Sequence, residues 1–96
     1  MSPKNKKKLN LLRKCLDKLD TKLLQIIKTR SKLVNEVLKL KQFKNEIVDK
    51  KRINFILKKI NTKSKKLRID PKITRRIWKN MIWSFIDYER RNFKKK

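Results

Sequence analysis

The 96-residue sequence contains no glycine, no histidine and no alanine, a single cysteine, Cys15, and only two prolines. Each absence closes off a class of chemistry. With no imidazole and one thiol, the usual transition-metal ligand sets and the histidine-dependent nucleophilic triads cannot be assembled. One cysteine cannot close an intramolecular disulfide, which points to a reducing compartment and to Cys15 as a helix-packing residue. No apolar run approaches the roughly 18 residues of a membrane span, and the opening MSPKNKKK has no hydrophobic stretch of the kind a signal peptide needs. The expected location is the cytoplasm, with no membrane partner.

Acidic groups are also scarce. Eight Asp and Glu face 32 Lys and Arg, giving a formal charge of +24 and a pI near 10.8. A charge of that size suits a polyanion partner, so a basic helical nucleic-acid-binding protein is the reading of a different class to be weighed. Two observations count against it: the lysines are scattered along the whole chain, and no recognised nucleic-acid-binding motif is present. Lys, Asn and Ile together supply 43 of the 96 residues, a composition that an AT-rich coding sequence produces without selection for charge. A chain of this length buries only a modest part of its surface alone, which makes an oligomer the expectation.

What is present is helical periodicity. In alternating steps of four and three, one stripe reads Leu12, Leu16, Leu19, Leu23, Ile26, Arg30, Leu33, Val37 and Leu40. The spacing predicts one long helix from about Asn10 to Lys44, about 50 Å in length, which cannot fold back on itself and must pack against something else. Asp49 is a candidate N-cap for a second helix to about Thr62, with Ile53, Ile56, Leu57 and Ile60 on its apolar face. NTKSKKLRI reads as a connector. Asp70 followed by Pro71 then starts a third helix running to about Phe93, whose inner face is Ile73, Ile77, Trp78, Met81, Ile82, Phe85 and Ile86. With no strand alternation and no internal repeat, the fold class is all-α: a three-helix protomer spanning 10–93, with basic tails at 1–9 and 94–96.

Several polar residues break the apolar pattern. Arg30 replaces an aliphatic residue in the long stripe, where a guanidinium must find an anion: an acid on another helix, or a ligand held between helices. Lys41, eleven residues on, is rotated by about 20° and displaced by about 17 Å on a continuous helix, so it can face the same cavity. Arg52 follows Asp49 by three, so the two sit on adjacent turns and can pair or meet a ligand together. Glu89 follows Ile82 by seven and Phe85 by four, which puts a carboxyl on the apolar face of the third helix.

These residues resemble the all-helical, type II chorismate mutase family. The resemblance rests on LLRKCLDKLD with Arg13, LLQIIKTRSKLV with Arg30 seventeen later, Lys41 eleven after that, DKKR with Asp49 and Arg52, and IWKNMIWSFIDYE near the end, and it covers about Leu11 to Phe93. It implies an intertwined all-α homodimer with two equivalent sites, each lined by both chains. It also implies cofactor-free rearrangement of chorismate to prephenate, on the path to phenylalanine and tyrosine. Helix geometry gives a separate reason for two chains: Arg13 and Arg30 are about 25 Å apart on one rigid helix, too far for a ligand the size of chorismate to touch both.

By resemblance, Arg30 and the Arg13 of a second copy clamp the two substrate carboxylates, and Lys41 donates to the ether oxygen and a carboxylate. Asp49 and Arg52 sit at the ring end near the substrate hydroxyl. The family commonly has Glu after that arginine; here Ile53 lines the position. The family's second ether-oxygen donor is usually Gln, with Ser or Thr four residues before it. Two registers compete for these places, Ser84 with Tyr88 and Phe85 with Glu89; Glu89, on the inner stripe and a known alternative to Gln, is preferred. Only a protonated Glu89 can donate, so activity is expected to rise toward mildly acidic pH. An apolar residue after Arg52 and the WSFIDYE ending are also similar to isochorismate-pyruvate lyases, which share the fold and the basic residues and form the nearest alternative activity.

Overall fold

The computed structural model describes residues 1–94; Lys95 and Lys96, part of the tail expected at 94–96, lie outside the described residues. Three α-helices follow one another, α1 (Pro3–Leu40), α2 (Lys50–Lys66) and α3 (Pro71–Asn92), with a short 3-10 turn at Lys44–Glu46 between the first two. No strand occurs among the described residues. The chain divides into two compact units, Met1–Leu33 and Val34–Lys96.

The first unit is helical from Pro3, seven residues before the expected start near Asn10. The cause is local. Ser2 accepts the backbone N–H of Asn5 on its hydroxyl at 3.2 Å, and Pro3 occupies the first helical position, where its missing N–H is no loss. The lysines that follow are good helix formers. The aliphatic stripe is there as a stripe, yet within this chain it faces solvent: Leu12, Leu16, Leu19, Leu23 and Ile26 are 53–64% exposed. Cys15 is exposed within the single chain too.

The second unit holds the core. Leu38 from the end of α1, Ile47 from the loop, and Ile82 and Ile86 from α3 are buried, with Val48, Ile53, Ile56, Leu57 and Phe93 packed around them. Helix α1 stops at Leu40, four residues short of the expected end, because the Glu46 carboxylate accepts the N–H groups of Gln42 (2.8 Å) and Phe43 (3.3 Å) and draws the chain out of the helix. Ile47, 3% exposed, pins that loop to the core.

Asp49 caps α2 as expected, its carboxylate accepting the N–H of Arg52 at 3.0 Å. The helix then outruns its expected end at Thr62 by four residues and takes in much of the supposed connector. Ser64 explains this: it is 3% exposed, donates to the Ile60 carbonyl at 2.6 Å and meets the Thr74 hydroxyl of α3 at 2.7 Å. A buried hydroxyl pair across two helices is satisfied only while α2 persists past it. The turn that follows needs a left-handed residue, and a chain without glycine places Arg68 there at φ 58°. That geometry costs a non-glycine residue of the order of 1 kcal/mol. Ile69 N–H closes the turn onto the Ser64 carbonyl at 2.9 Å.

Asp70 accepts the N–H of Lys72 at 3.0 Å and Pro71 opens α3, as expected, and the helix ends one residue before Phe93. Its expected inner face is only partly inward. Ile82 and Ile86 are buried and Trp78, Met81 and Phe85 half-buried, but Ile73 and Ile77 remain more than half exposed, since nothing of α2 or the loop reaches that flank.

Candidate active site

The loop after α1 and the last turns of α3 bring two charges from distant sequence positions together. Lys41 lies one residue past the end of α1, its N–H bonded to the Leu38 carbonyl at 3.1 Å. The expectation that it continues the helical register is therefore corrected: the lysine has left the helix. Leaving it frees the side chain to reach α3, where Nζ donates to Glu89 Oε1 at 3.0 Å. The side chains are 18% and 7% exposed, in contrast to the chain's surface pairs Lys39–Glu36 and Arg91–Asp87, whose side chains are 63–68% exposed. A cation and a carboxyl held together away from water act on one another far more strongly than surface charges do.

Glu89 reaches this position because it extends the buried stripe Ile82, Ile86, Glu89 on α3. The competing register does not share it. Ser84 is exposed and its hydroxyl is spent on the Asn80 carbonyl at 2.7 Å, while Tyr88 points its hydroxyl at Asn35 Oδ1 at 3.5 Å, a long contact. Phe85, one turn before Glu89, is half-buried.

At the start of α2, Asp49 and Arg52 meet through the backbone cap, while the Arg52 guanidinium lies over the Phe55 ring, 5.4 Å from its centre. Both residues are exposed, and Asp49 borders an open hollow of about 530 Å³ lined by Glu46, Val48, Lys50 and Lys51. Ile53 does not share that surface; its side chain packs against the core. Arg13 and Arg30 belong to the first unit, the former exposed and the latter half-buried. Two partnerships were missed from sequence. Ser64 with Thr74 carried no signal beyond two hydroxyls, and Asn35 with Tyr88 lies 53 residues apart in the chain.

Compared with protein families, residues 12–90 match the model of chorismate mutase type II. The chain belongs to the type II chorismate mutase family. No curated protein and no solved structure matches it significantly. The matched span takes in Arg13, Arg30, Lys41, Asp49, Arg52 and Glu89, and three helices with no strand among the described residues are what the all-α fold of this family requires. Type II chorismate mutases are isomerases that bind chorismate. No helix among the described residues is long and apolar enough to cross a membrane.

Proposed function

We propose that this protein is a chorismate mutase that rearranges chorismate to prephenate, in phenylalanine and tyrosine biosynthesis, as a cytoplasmic homodimer. The Lys41–Glu89 pair carries the reading. Two groups 48 residues apart are held 3.0 Å from each other, largely shielded from water, at the positions where the family resemblance expects two donors to one ether oxygen. In the reaction the ammonium of Lys41 donates to that oxygen as negative charge grows on it, and the Glu89 carboxyl becomes the second donor only after taking a proton from solvent as the lysine turns away. The substrate's bridging oxygen then replaces the Glu89 carboxylate as the lysine's acceptor.

The remaining work is conformational. The rearrangement is unimolecular and needs no nucleophile, so the enzyme has only to hold the dianion folded in its reactive shape. Arg30 and the Arg13 of a second copy serve as forks for the two carboxylates, a planar bidentate match that lysine cannot make. Asp49 and Arg52 take the ring end. The exposed stripe of α1 supports pairing of two copies: the row of half-exposed aliphatic residues from Leu12 to Ile26 is unfavourable in water and is covered when a second α1 lies against it. The +24 charge draws a dianion toward the protein whatever its origin.

One observation favours a second reading. Ile53 is turned into the core, so the residue after Arg52 offers no acceptor for a ring hydroxyl, which also fits an isochorismate-pyruvate lyase. Assaying chorismate and isochorismate side by side decides between them. The mutase reading expects the higher kcat/KM for chorismate, with prephenate as product, and a loss of at least about 100-fold in Arg30→Ala. Greater efficiency of pyruvate release from isochorismate would establish the lyase. Absence of both reactions, with binding of generic duplex indifferent to Arg30→Ala, would leave the nucleic-acid reading.

A further inference from the structure

The outward face of α2 is a cationic strip that neither the fold nor the reaction requires. Between Asp49 and Asp70, twenty residues carry nine Lys or Arg and no acid. Helical spacing puts Ile53, Ile56, Leu57, Ile60 and Ser64 inward and sets Lys51, Phe55, Lys58, Lys59, Lys65 and Lys66 on the opposite side, all exposed. That strip runs about 22 Å along the helix axis.

The second unit's acids are committed elsewhere. Glu36 pairs with Lys39, Asp87 with Arg91 and Glu89 with Lys41. Glu46, Asp49 and Asp70 accept backbone N–H groups. The lysines at the C-terminal end of α2 suit the helix dipole, but Lys50, Lys51 and Arg52 stand in its first turn, where positive charge is unfavourable. Phe55 stands in the strip, 53% exposed, with Arg52 at 5.4 Å and Lys59 at 5.8 Å from its ring centre.

We propose that the outer face of α2 binds the phosphate backbone of single-stranded nucleic acid, with Phe55 as a platform for one base. A row of uncompensated cations interrupted by an exposed aromatic ring is the arrangement such strands use: phosphates displace counterions along the charges, and a base stacks on the ring. An anionic membrane is the poorer fit, because the apolar side of α2 faces the core and Phe55 alone cannot anchor a helix in lipid.

Fluorescence anisotropy with a labelled 15-nucleotide oligothymidine tests this on the full chain. If the five strip lysines each neutralise a phosphate, log K falls against log salt with a slope near ~−3.5, about 100-fold weaker binding from 50 to 200 mM. Replacing Lys58, Lys59, Lys65 and Lys66 together by Gln should remove about 3 from that slope, whereas the same four changed to Arg should retain it. Phe55→Ala should weaken binding about tenfold and leave the slope unchanged. A matched set on α1, with Lys14, Lys18, Lys22 and Lys28 changed to Gln, should retain the slope of the α2 strip. Equal losses from the α1 and α2 sets would overturn the proposal in favour of diffuse charge. So would loss of binding in the Arg set, or an α2 set that loses phosphatidylserine vesicles while keeping the oligonucleotide. The α2 set touches no residue assigned to the reaction, so its kcat for prephenate formation, which charge steering does not enter, should match the wild type.

Discussion

Replacing Lys41 by Met tests the buried pair through stability, independently of any substrate. The substitution keeps the length of the side chain and removes its charge, leaving the Glu89 carboxyl, 5% exposed, without its cation. Breaking a buried pair from one side costs about 3–5 kcal/mol, and the 18% exposure of Lys41 places this case near ~3. Glu89→Leu should cost less, about 1–2 kcal/mol, because the stranded ammonium can extend toward water. The double variant should be milder than the sum of the two, by a coupling of at least about 2 kcal/mol. Urea unfolding at fixed protomer concentration measures each term, and the Lys41→Met loss corresponds to a fall in Tm of about 12 °C or more. The surface pair Arg91–Asp87 is the internal control and should couple by less than about 0.5 kcal/mol. A Lys41–Glu89 coupling no larger than the control would refute the view that the two charges share a desolvated position.

Three further outcomes follow from the same geometry. Glu89→Gln, whose amide is a donor, should keep most of the prephenate formation that Glu89→Leu loses; equal kcat/KM in the two variants would remove Glu89 from the reaction. Ser64→Ala should cost about 1 kcal/mol more in urea unfolding than Thr74→Val, because Ser64 keeps its bond to the Ile60 carbonyl when Thr74 is lost, whereas Thr74 is left with only a 3.4 Å contact to the Pro71 carbonyl. Pairing of two copies of a +24 chain should strengthen as salt rises from 50 to 300 mM, read by sedimentation equilibrium; weakening with salt would mean that attraction between charges, and not the aliphatic stripe of α1, drives assembly.

Much of the fold was legible because its signals are local. Asp49 and the Asp70–Pro71 step mark helix starts by chemistry that acts over three residues, and both caps are where the sequence puts them. The ends of α1 and α2 were not legible, since each is decided by a side chain answering a distant or reversed partner: Glu46 reaching back to Gln42 and Phe43, and Ser64 meeting Thr74 across the turn. Apolar periodicity told which face of a helix is hydrophobic and not what covers it. Ile82 and Ile86 are covered within the chain, whereas Ile73 and the α1 leucines Leu12, Leu16, Leu19 and Leu23 are not. In the candidate site, Glu89 was legible as a carboxyl on an apolar stripe. Its pairing with Lys41 was not, because the lysine had been read as still within α1, and a side chain in helical register reaches different neighbours from one released into a loop.

Whether two copies build the catalytic site together is testable with two inactive variants. Arg13→Ala and Arg30→Ala, each nearly inactive alone, are mixed in equal amounts, unfolded and refolded, and assayed for prephenate. If each site takes Arg30 from one chain and Arg13 from the other, half of the dimers are mixed and each mixed dimer holds one intact site, so about a quarter of the wild-type activity returns. A mixture no more active than its components would contradict the shared site.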